Sequence, residues 1–417
     1  MQDEIISKAN ELLANTYKRF PIVVTRGEGC WVWDLTGRRY LDFISGIAVC
    51  NLGHTHRGVV SAIASQLEKL THISNLFYND VQVKAAEMLI EHSFGDKVFF
   101  CNSGAEANEA AIKLARRYSY KKYGPSRFKI VTMENSFHGR TLATLSATGQ
   151  NKVKEGFEPL LPGFIHVPFN SKEKLEEAIN EGVCAVIIEL VQGEGGVRIA
   201  DFDYVQFLRE ITEKNDIILI VDEVQTGIGR TGKLFAYEHY GIEPDLMTLA
   251  KALGNGFPCG ALVGKERYME VLEVGTHAST FGGNPLAASA IFATLNTIFD
   301  EGLLTHAQKV GDYLGQGLAN LKERFGVIRE IRGLGLMWGI EIEGDGERLV
   351  RDFFEEGILI NCTQGNVLRI LPPLIVEEEQ IDLFLEIAER IMGRYENQRG
   401  LAKNEKRLHK ATRYNHR

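Results

Sequence analysis

The chain has 417 residues, more than one ordinary hydrophobic core accommodates, so we expect at least two domains. Hydrophobic residues make up 44% and charged residues 24%, as in globular proteins, and the net charge of −8 argues against nucleic acid as a partner. No apolar run approaches the roughly 20 residues that cross a bilayer, so no membrane partner is expected.

The N-terminal residues and the cysteines bear on location and metal content. Residues 1–6 are acidic and resemble neither a secretory signal nor a transit peptide, so a cytoplasmic location is expected. The six cysteines form no C-x-x-C pair, which is typical of reduced, buried thiols. Because the chain also has no H-E-x-x-H motif, we predict no metal site.

The first 285 residues predict an α/β fold with a mostly parallel sheet. After a helix at 4–20 and two strands at 30–34 and 40–43, apolar runs of strand length alternate with helices from about residue 58. Such alternation is typical of βαβ units. The predicted strands are 98–101, 129–133, 185–189, 217–221 and 261–263, and the predicted helices are 58–71, 81–93, 105–122, 171–181 and 203–215. Ligands of such sheets bind beyond the carboxyl ends of the strands, where Ser103, Glu189 and Asp222 lie.

The remaining residues predict a smaller α+β domain and a tail. Helices at 285–300 and 303–324 precede a strand-like run at 327–332, strands at 336–342 and 367–370, and a helix near 377–395, which places the domain boundary near residue 285. Residues 393–417 contain eight Lys or Arg against two Glu and few apolar side chains. We therefore expect residues 396–417 to form a basic, disordered tail.

Lys251 and Asp222 are the strongest candidates for chemistry. Lys251 follows the apolar run 246–250, and Asp222 closes the aliphatic run 217–221. An unpaired amine in such a place is costly to charge, so its pKa tends to fall and its neutral form is nucleophilic. Pyridoxal phosphate explains both residues, because its aldehyde combines with a lysine and its ring nitrogen pairs with an acid. The alternative is a structural Lys–Asp ion pair at the strand ends.

Two glycine-containing segments could bind anions. Ser103, Gly104 and Ala105 lie where a strand passes into a long helix, whose N-terminal N–H groups and dipole favour a phosphate. An ordinary capped helix is the alternative. The loop at 227–233 nearly matches a nucleotide-binding loop, but Leu234 replaces the Ser or Thr that would hold magnesium, so we predict no nucleotide site there.

Phe137, Arg140 and Arg369 are candidates for contacts with a planar ring and with carboxylates. Phe137 could stack on a ring, and the nearby Arg140 could form a bidentate pair with a carboxylate. Arg369 lies within the apolar strand at 367–370 and needs an anionic partner, which could be Glu194 or a substrate.

Together these motifs resemble the class III, fold-type I pyridoxal-phosphate aminotransferases, and within that family they are most similar to the acetylornithine aminotransferases. The resemblance runs from about residue 17 to about residue 393. It rests on segments 26–29, 72–75, 102–108, 137–141, 192–196, 222–225 and 279–287, which occur in the same order. It implies a large cofactor-binding domain at 58–285 and a small domain at 286–395, with the N-terminal segment 1–57 packed against the small domain.

The resemblance also implies roles for individual residues. Lys251 would bind the cofactor aldehyde and then act as general base and acid, and Asp222 would keep the ring nitrogen protonated. The remaining cofactor contacts would be Ser103, Gly104 and Ala105 at the phosphate, Phe137, Val224 and Gln225 around the ring and its 3′-oxygen, and Thr280 from the neighbouring subunit of a homodimer with shared active sites. The substrate contacts would be Arg140, Arg369, Tyr17 and Ser279. Glu194 would pair with Arg369 and neutralise its charge when the basic amino acid binds.

The reaction implied by the resemblance transfers the distal amino group of N2-acetyl-L-ornithine to 2-oxoglutarate, giving N-acetyl-L-glutamate 5-semialdehyde and L-glutamate. The same scaffold could instead act on ornithine, succinyl-diaminopimelate or 4-aminobutyrate, or catalyse an aminomutase reaction. A catalytically silent binding protein would have lost the lysine or the acid, and both are present.

Overall fold

The structure, a computed structural model, describes residues 1–180 and 182–414, with side chains described as far as residue 399. The strands are β1 Val24–Glu28, β2 Trp31–Asp34, β3 Arg39–Asp42, β4 Lys97–Cys101, β5 Lys129–Met133, β6 Phe164–Val167, β7 Val183–Ile188, β8 Val191–Gln192, β9 Arg198–Ile199, β10 Ile218–Asp222, β11 Leu246–Leu249, β12 Gly260–Gly264, β13 Ile328–Leu334, β14 Met337–Ile342, β15 Ile358–Leu359, β16 Asn361–Thr363 and β17 Val367–Ile370.

The helices are α1 Gln2–Leu12, α2 Ser45–Ala48, α3 Arg57–Leu67, α4 Asp80–Glu91, α5 Gly104–Tyr123, α6 Leu142–Ala147, α7 Lys172–Ala178, α8 Phe202–Lys214, α9 Glu266–Met269, α10 Pro285–Asp300, α11 Leu303–Arg324, α12 Gly346–Glu355 and α13 Glu378–Tyr414. Short 3₁₀ helices occupy Asn151–Val153, Ala236–Tyr240 and Lys251–Gly254. Within the described part of the chain, no helix is both long and apolar enough to cross a membrane.

A seven-stranded sheet forms the centre of the large domain. Its strand order is β4-β12-β11-β10-β7-β5-β6. The pairs β11–β10, β10–β7, β7–β5 and β5–β6 are parallel, whereas β12 runs antiparallel to both of its neighbours. The predicted α/β fold with a mostly parallel sheet is thereby confirmed.

Hydrophobic clusters cover both faces of this sheet. The central strands are apolar on both sides, so both sides need to be buried. Alternate residues of β7 and β10 point to opposite sides. Val186 and Leu219 belong to one hydrophobic cluster, whereas Ala185 and Ile218 belong to the cluster under α5. Packing on both faces fixes the strands along their lengths, so the polar residues that follow them are held at one edge of the sheet.

Helix α10 packs in the hydrophobic cluster of the central sheet, although the sequence analysis drew a domain boundary near residue 285, just before this helix. Its residues Ala287, Ile291 and Leu295 are buried in the same cluster as Leu52 and Leu89. The chain turns at Gly302, which has a φ of +63° and lies between α10 and α11. The spacing of apolar residues predicts the apolar face of α10 but does not show against which hydrophobic cluster that face packs.

The small domain combines residues from both ends of the chain. Strands β13, β14, β17 and β16 form an antiparallel sheet, while β1, β2 and β3 form a second sheet that is completed by β15. In that second sheet Ile358 pairs with Leu41 in parallel register. Phe43 also packs in one cluster with Phe353 and Phe384.

The last helix extends beyond the predicted boundary at residue 395, where the sequence analysis expected a disordered tail. It is continuous over Glu378–Tyr414. Arg399 on this helix donates a hydrogen bond of 2.7 Å to the carboxylate of Glu343, so helix and small domain remain in contact past residue 395. Residues 415–417 of the predicted tail lie outside the described residues.

The glycine-containing loop at 227–233 joins the two domains. Arg230 in this loop is fully buried and donates hydrogen bonds to the Leu336 carbonyl at 2.9 Å and to the side chain of Asn51 at 2.6 Å, and also to the Pro372 carbonyl. A guanidinium that caps carbonyl groups of the small domain in this way has a structural role.

Glu223 makes stability depend on pH. It is buried, and burial raises its pKa from 4.5 to about 7 although it accepts hydrogen bonds from Thr226 and from the Tyr237 backbone at 3.0 Å. When the pKa of a carboxyl group is higher in the folded state than in the unfolded state, its contribution to stability is fully present below the pKa of the unfolded state. This contribution is lost as the pH rises through the pKa of the folded state. We therefore expect the free energy of unfolding to fall between about pH 4.5 and pH 7 through this group.

The variant Glu223→Gln tests this expectation. It should be more stable than the parent at pH 8, by up to about 3 kcal/mol, because the amide has no charge to desolvate, its oxygen still accepts from the Tyr237 N–H, and its nitrogen can donate to the Thr226 hydroxyl. Urea denaturation at pH 5 and pH 8 measures the difference, with the exposed Glu210→Gln as the matched control. If Glu223→Gln changed the free energy of unfolding equally at pH 5 and pH 8, the raised pKa of Glu223 would not be the cause of the pH dependence.

Candidate active site

A cavity of about 410 Å³ opens at the carboxyl edge of the central sheet. Its walls come from the segments that follow β4, β5, β7, β10 and β11, together with Val49. The lining includes most of the predicted site residues, namely Ser103, Gly104, Ala105, Phe137, Arg140, Glu194, Asp222, Val224, Gln225 and Lys251. The sequence therefore identified residues that the fold brings together.

Asp222 closes β10 and lies buried at the cavity wall. Its Oδ2 accepts hydrogen bonds from Asn108 Nδ2 at 2.8 Å and from His138 Nδ1 at 2.7 Å, and its Oδ1 accepts one from the Val224 N–H at 3.1 Å. These donors hold the carboxylate in one orientation. One lone pair of Oδ1 remains for a cationic N–H group on a ligand.

Asn108 and His138 are buried residues of the site to which the sequence analysis gave no role. Thr248 on β11 donates to Asn108 Oδ1 at 2.8 Å, which orients the amide toward Asp222. Burial opposes protonation of His138, but the hydrogen bond and charge of Asp222 raise its pKa. Both residues lie within the segments 102–108 and 137–141. Their burial beside Asp222 depends on the packing of separate strands, so no local pattern predicts it.

Glu189 follows β7 and also lines the cavity. Its Oε2 accepts a hydrogen bond from the Phe137 N–H at 2.9 Å, and burial raises its pKa from 4.5 to about 7. The sequence analysis placed Glu189 at a strand end without giving it a role. Its contact shows that it fixes the segment that carries Phe137.

Lys251 stands at the start of a 3₁₀ helix directly after β11. Its φ of +49° is in the left-handed region, which is unusual for a residue with a side chain and is typical of functional sites. Burial, and next the positive charge of Arg369, lower the pKa of Lys251. The amine is therefore more readily neutral and nucleophilic than an ordinary lysine.

The predicted phosphate cradle lies at the N-terminus of α5. Ser103 caps this helix, since its Oγ accepts a hydrogen bond from the Glu106 N–H at 3.2 Å. The N–H groups of Gly104 and Ala105 belong to the first turn, which has no intrahelical acceptors. A Cβ on Gly104 would lie 2.7 Å from Val224, so only glycine fits this close approach.

Arg369 and Glu194 form the ion pair that was predicted as one of two possibilities. Arg369 is fully buried on β17, and its Nη1 donates to Glu194 Oε1 at 2.6 Å and to Gln225 Oε1 at 3.3 Å. Burial opposes ionisation of Glu194, but the Arg369 guanidinium lowers its pKa below the ordinary value. Within the described residues Nη2 of Arg369 has no partner and remains a free donor.

Arg140 and Phe137 occupy the same wall of the cavity. The Arg140 guanidinium lies 5.5 Å from the centre of the Phe137 ring, and the arginine side chain is otherwise exposed. An exposed cation at the rim of this cavity suits a ligand with a terminal carboxylate.

Three predicted substrate or cofactor residues lie away from this cavity within one chain. Thr280 is exposed, and Ser279 accepts hydrogen bonds from Asn102 at 3.2 Å and from the Gly282 N–H at 3.0 Å. Tyr17 is 70% exposed and contacts Arg19. Of these, only Ser279 is tied to a segment of the cavity wall, through Asn102.

Comparison with known proteins adds to this geometry. Residues 12–392 match the family model described as "Aminotransferase class-III". An acetylornithine aminotransferase of Caldanaerobacter subterraneus is 53% identical over 93% of this chain and 99% of the relative, and one of Methanocaldococcus jannaschii is 51% identical over 90% and 94%.

Solved structures agree with this assignment. The ornithine aminotransferase of Toxoplasma gondii, reported with pyridoxal phosphate at partial occupancy in its active site, superposes with a TM-score of 0.93 at 34% identity, covering 96% of both chains. The match to the family model spans nearly the whole chain and both domains. The chain therefore belongs to the class-III aminotransferases.

Proposed function

We propose that this aminotransferase uses pyridoxal phosphate to transfer the distal amino group of N2-acetyl-L-ornithine to 2-oxoglutarate, which yields N-acetyl-L-glutamate 5-semialdehyde and L-glutamate. The observation that carries the cofactor is the presence of Lys251 and Asp222 on the wall of one cavity. Support for the substrate comes from relatives of that name at 53% and 51% identity over nearly the whole chain.

The residues present fit this cofactor. An anionic phosphate suits the unsatisfied N–H groups of Gly104 and Ala105 at the start of α5, together with Ser103. The open lone pair of Asp222 suits a protonated ring nitrogen. Phe137 and Val224 would pack on the two faces of the ring, and Gln225 would contact its 3′-oxygen.

When bound, the cofactor supplies an electron sink for the carbon that carries the amino group. Lys251 Nζ would hold the aldehyde between turnovers and then move a proton as general base and acid, a task favoured by its lowered pKa. The fixed carboxylate of Asp222 keeps a positive charge on the ring nitrogen favourable. His138 and Asn108 keep that carboxylate from turning away.

Substrate selection would depend on Arg369 and Glu194. When these residues are paired, Glu194 neutralises the charge of the Arg369 guanidinium. This state suits a substrate whose reacting end is a methylene group with an amine and no carboxylate. When Glu194 moves aside, Arg369 can form a bidentate pair with the α-carboxylate of glutamate or 2-oxoglutarate. Arg140 would take the other carboxylate, and Tyr17 and Ser279 would contribute further contacts.

The active enzyme would be a cytoplasmic homodimer with shared sites. The segment around Thr280 lies on the surface beside exposed apolar side chains, among them Leu76 at 86%, Tyr78 at 102% and Phe281 at 58% exposure. An apolar patch of this kind favours burial against a second copy. Thr280 would then reach the phosphate bound in the neighbouring subunit.

Comparison of amino donors tests the proposed substrate. The dimer loaded with pyridoxal phosphate should show a kcat/KM for N2-acetylornithine at least about tenfold above that for ornithine, succinyl-diaminopimelate or 4-aminobutyrate, which corresponds to about 1.4 kcal/mol of discrimination. A higher value for one of the other donors would reassign the substrate within the family.

The variant Glu194→Ala tests the Arg369–Glu194 switch. Without Glu194, the Arg369 charge stays unmasked, so the half-reaction with N2-acetylornithine should slow by about tenfold relative to the half-reaction with glutamate. Single-turnover kinetics with each donor measures the ratio, and the exposed Glu210→Ala is the control. Equal changes in both half-reactions would refute the switch.

A further inference from the structure

The loop that carries Glu194 packs on the small domain. This loop, residues 193–197, joins β8 to β9, and its Val197 is buried in one hydrophobic cluster with Met337 and Leu371. Apart from Glu194, whose side chain is partly exposed, residues 191–197 are buried. The loop therefore presents a single side chain to the cavity while its backbone lies against the neighbouring sheet.

Two side chains of the small domain donate hydrogen bonds to the backbone of this loop. Arg332 on β13 donates from Nε to the Gly196 carbonyl at 2.9 Å. Gln364, in the turn between β16 and β17, donates from Nε2 to the Glu194 carbonyl at 2.8 Å. These bonds fix the backbone at Glu194 itself and two residues after it.

The charge of Arg332 is neutralised by other carboxylates. Arg332 is buried, and its Nη1 lies 2.6 Å from Glu330 and 2.9 Å from Glu341. A buried guanidinium needs such partners. Because they hold Nη1, Arg332 gives the loop a hydrogen bond and does not compete with Arg369 for the Glu194 carboxylate.

Arg332 and Arg369 lie on the same face of one antiparallel sheet. Arg332 on β13 is paired with Gly339 on β14, and Gly339 is paired in turn with Arg369 on β17. Directly opposed residues of antiparallel strands point to the same side. A Cβ on Gly339 would lie 2.9 Å from the Cβ of Val197, so the glycine leaves room for the loop between the two arginines.

We propose that Arg332 and Gln364 are positioning residues that hold Glu194 in reach of Arg369 and so set how often this ion pair forms. The inference rests on the proposed pairing and release of Arg369 and Glu194 in the two half-reactions. Because the sheet that carries Arg369 also fixes the loop backbone, rotation of the Glu194 side chain is enough to free the guanidinium. A loosened loop would form the pair less often and leave Arg369 free for a carboxylate.

The variants Arg332→Lys and Gln364→Met test this role in the dimer loaded with pyridoxal phosphate. Lysine keeps a charge beside Glu330 and Glu341 but lacks the Nε N–H group, and methionine keeps the length of the glutamine without a donor. In each variant the half-reaction with N2-acetylornithine should slow about fivefold relative to that with glutamate, the effect of one lost hydrogen bond. Single-turnover kinetics measures this ratio.

Binding of glutarate gives a second measurement that loss of structure would not produce. Glutarate is a dicarboxylate with no keto group, so it binds without accepting an amino group. Its affinity should rise by up to about fivefold in both variants, because Arg369 is free in a larger fraction of the molecules. A merely structural defect would weaken glutarate binding and slow both half-reactions together.

Two matched variants are the controls. Arg198→Lys alters an arginine that pairs with the same two carboxylates, Glu330 at 3.4 Å and Glu341 at 3.1 Å. Gln316→Met alters an exposed glutamine on α11. Both controls should leave the ratio of the half-reactions and the glutarate affinity unchanged.

Double variants with Glu194→Ala show whether the two residues act through Glu194. In that background neither Arg332→Lys nor Gln364→Met should change the ratio of the half-reactions further. A further change there, equal slowing of both half-reactions, or weaker glutarate binding in the single variants would each overturn the proposal. Glutarate binding does not depend on the amino donor, so it still tests both residues if the substrate proves to be another amine.

Discussion

Replacing Lys251 with alanine should abolish turnover, with kcat falling by about 10⁴-fold or more. One residue provides both the covalent attachment of the cofactor and the proton transfer, and a single general acid–base group alone contributes up to about 10⁴. Steady-state and single-turnover assays with N2-acetylornithine measure the loss. Binding of the cofactor should persist through the phosphate cradle at Gly104 and Ala105, although no longer covalently.

Lys154→Ala is the matched control for this variant. Lys154 is also buried, and burial also lowers its pKa, but it lies away from the cavity and donates to the Ser146 carbonyl at 3.3 Å. Its loss should reduce stability and leave kcat nearly unchanged. If Lys251→Ala kept more than a hundredth of the parental kcat, the catalytic assignment would be wrong.

Asp222→Asn should lower kcat by about 10³-fold, and it should also lower stability because buried donors lose their acceptor. The neutral amide no longer favours a positive charge on the ring nitrogen, and the loss of one preorganised electrostatic partner costs about 10²–10³ in rate. In addition, Asn108 and His138 both donate to Oδ2 of Asp222. An amide nitrogen in the place of Oδ2 cannot accept either of these hydrogen bonds. The half-reactions with N2-acetylornithine and with glutamate should slow together, because both need the same ring charge.

Asp245→Asn controls for the loss of a buried carboxylate. Asp245 is fully buried in the same sheet, immediately before β11, and pairs with Arg209 and Arg267 at 3.2 Å. Removal of its charge should reduce stability without an effect on kcat of the size expected for Asp222. Equal losses of kcat in the two variants would contradict a specific role for Asp222.

The sequence was sufficient to predict the fold class and to bring Asp222 and Lys251 to one edge of the sheet, where both line the same cavity. Asp222 and Lys251 each follow an apolar strand, and parallel strands bring their carboxyl ends to the same edge. The helix start at Ser103 and Gly104 was predictable for a similar reason, since a cap residue and a glycine mark it locally, and the phosphate contact there remains a prediction. Each of these signals is carried by a few neighbouring residues.

The residues that were missed depend on contacts between distant segments. The roles of Asn108 and His138 come from convergence on Asp222, more than 80 positions along the chain from either, a contact that no local pattern encodes. The hydrophobic cluster that α10 joins was not predictable from its sequence, because an apolar helix face fits either core. Thr280 and Tyr17 lie outside the cavity of one chain, and their predicted contacts remain predictions.

The absorbance spectrum of the purified protein, before and after one addition of N2-acetylornithine without 2-oxoglutarate, shows whether Lys251 holds pyridoxal phosphate and whether this donor gives up its amine. We expect a visible band of lysine-bound pyridoxal phosphate that is absent in Lys251→Ala. We also expect N2-acetylornithine to bleach this band within one turnover and 2-oxoglutarate to restore it. A protein that shows no such band after incubation with pyridoxal phosphate, or a band that no amino donor changes, would contradict the account.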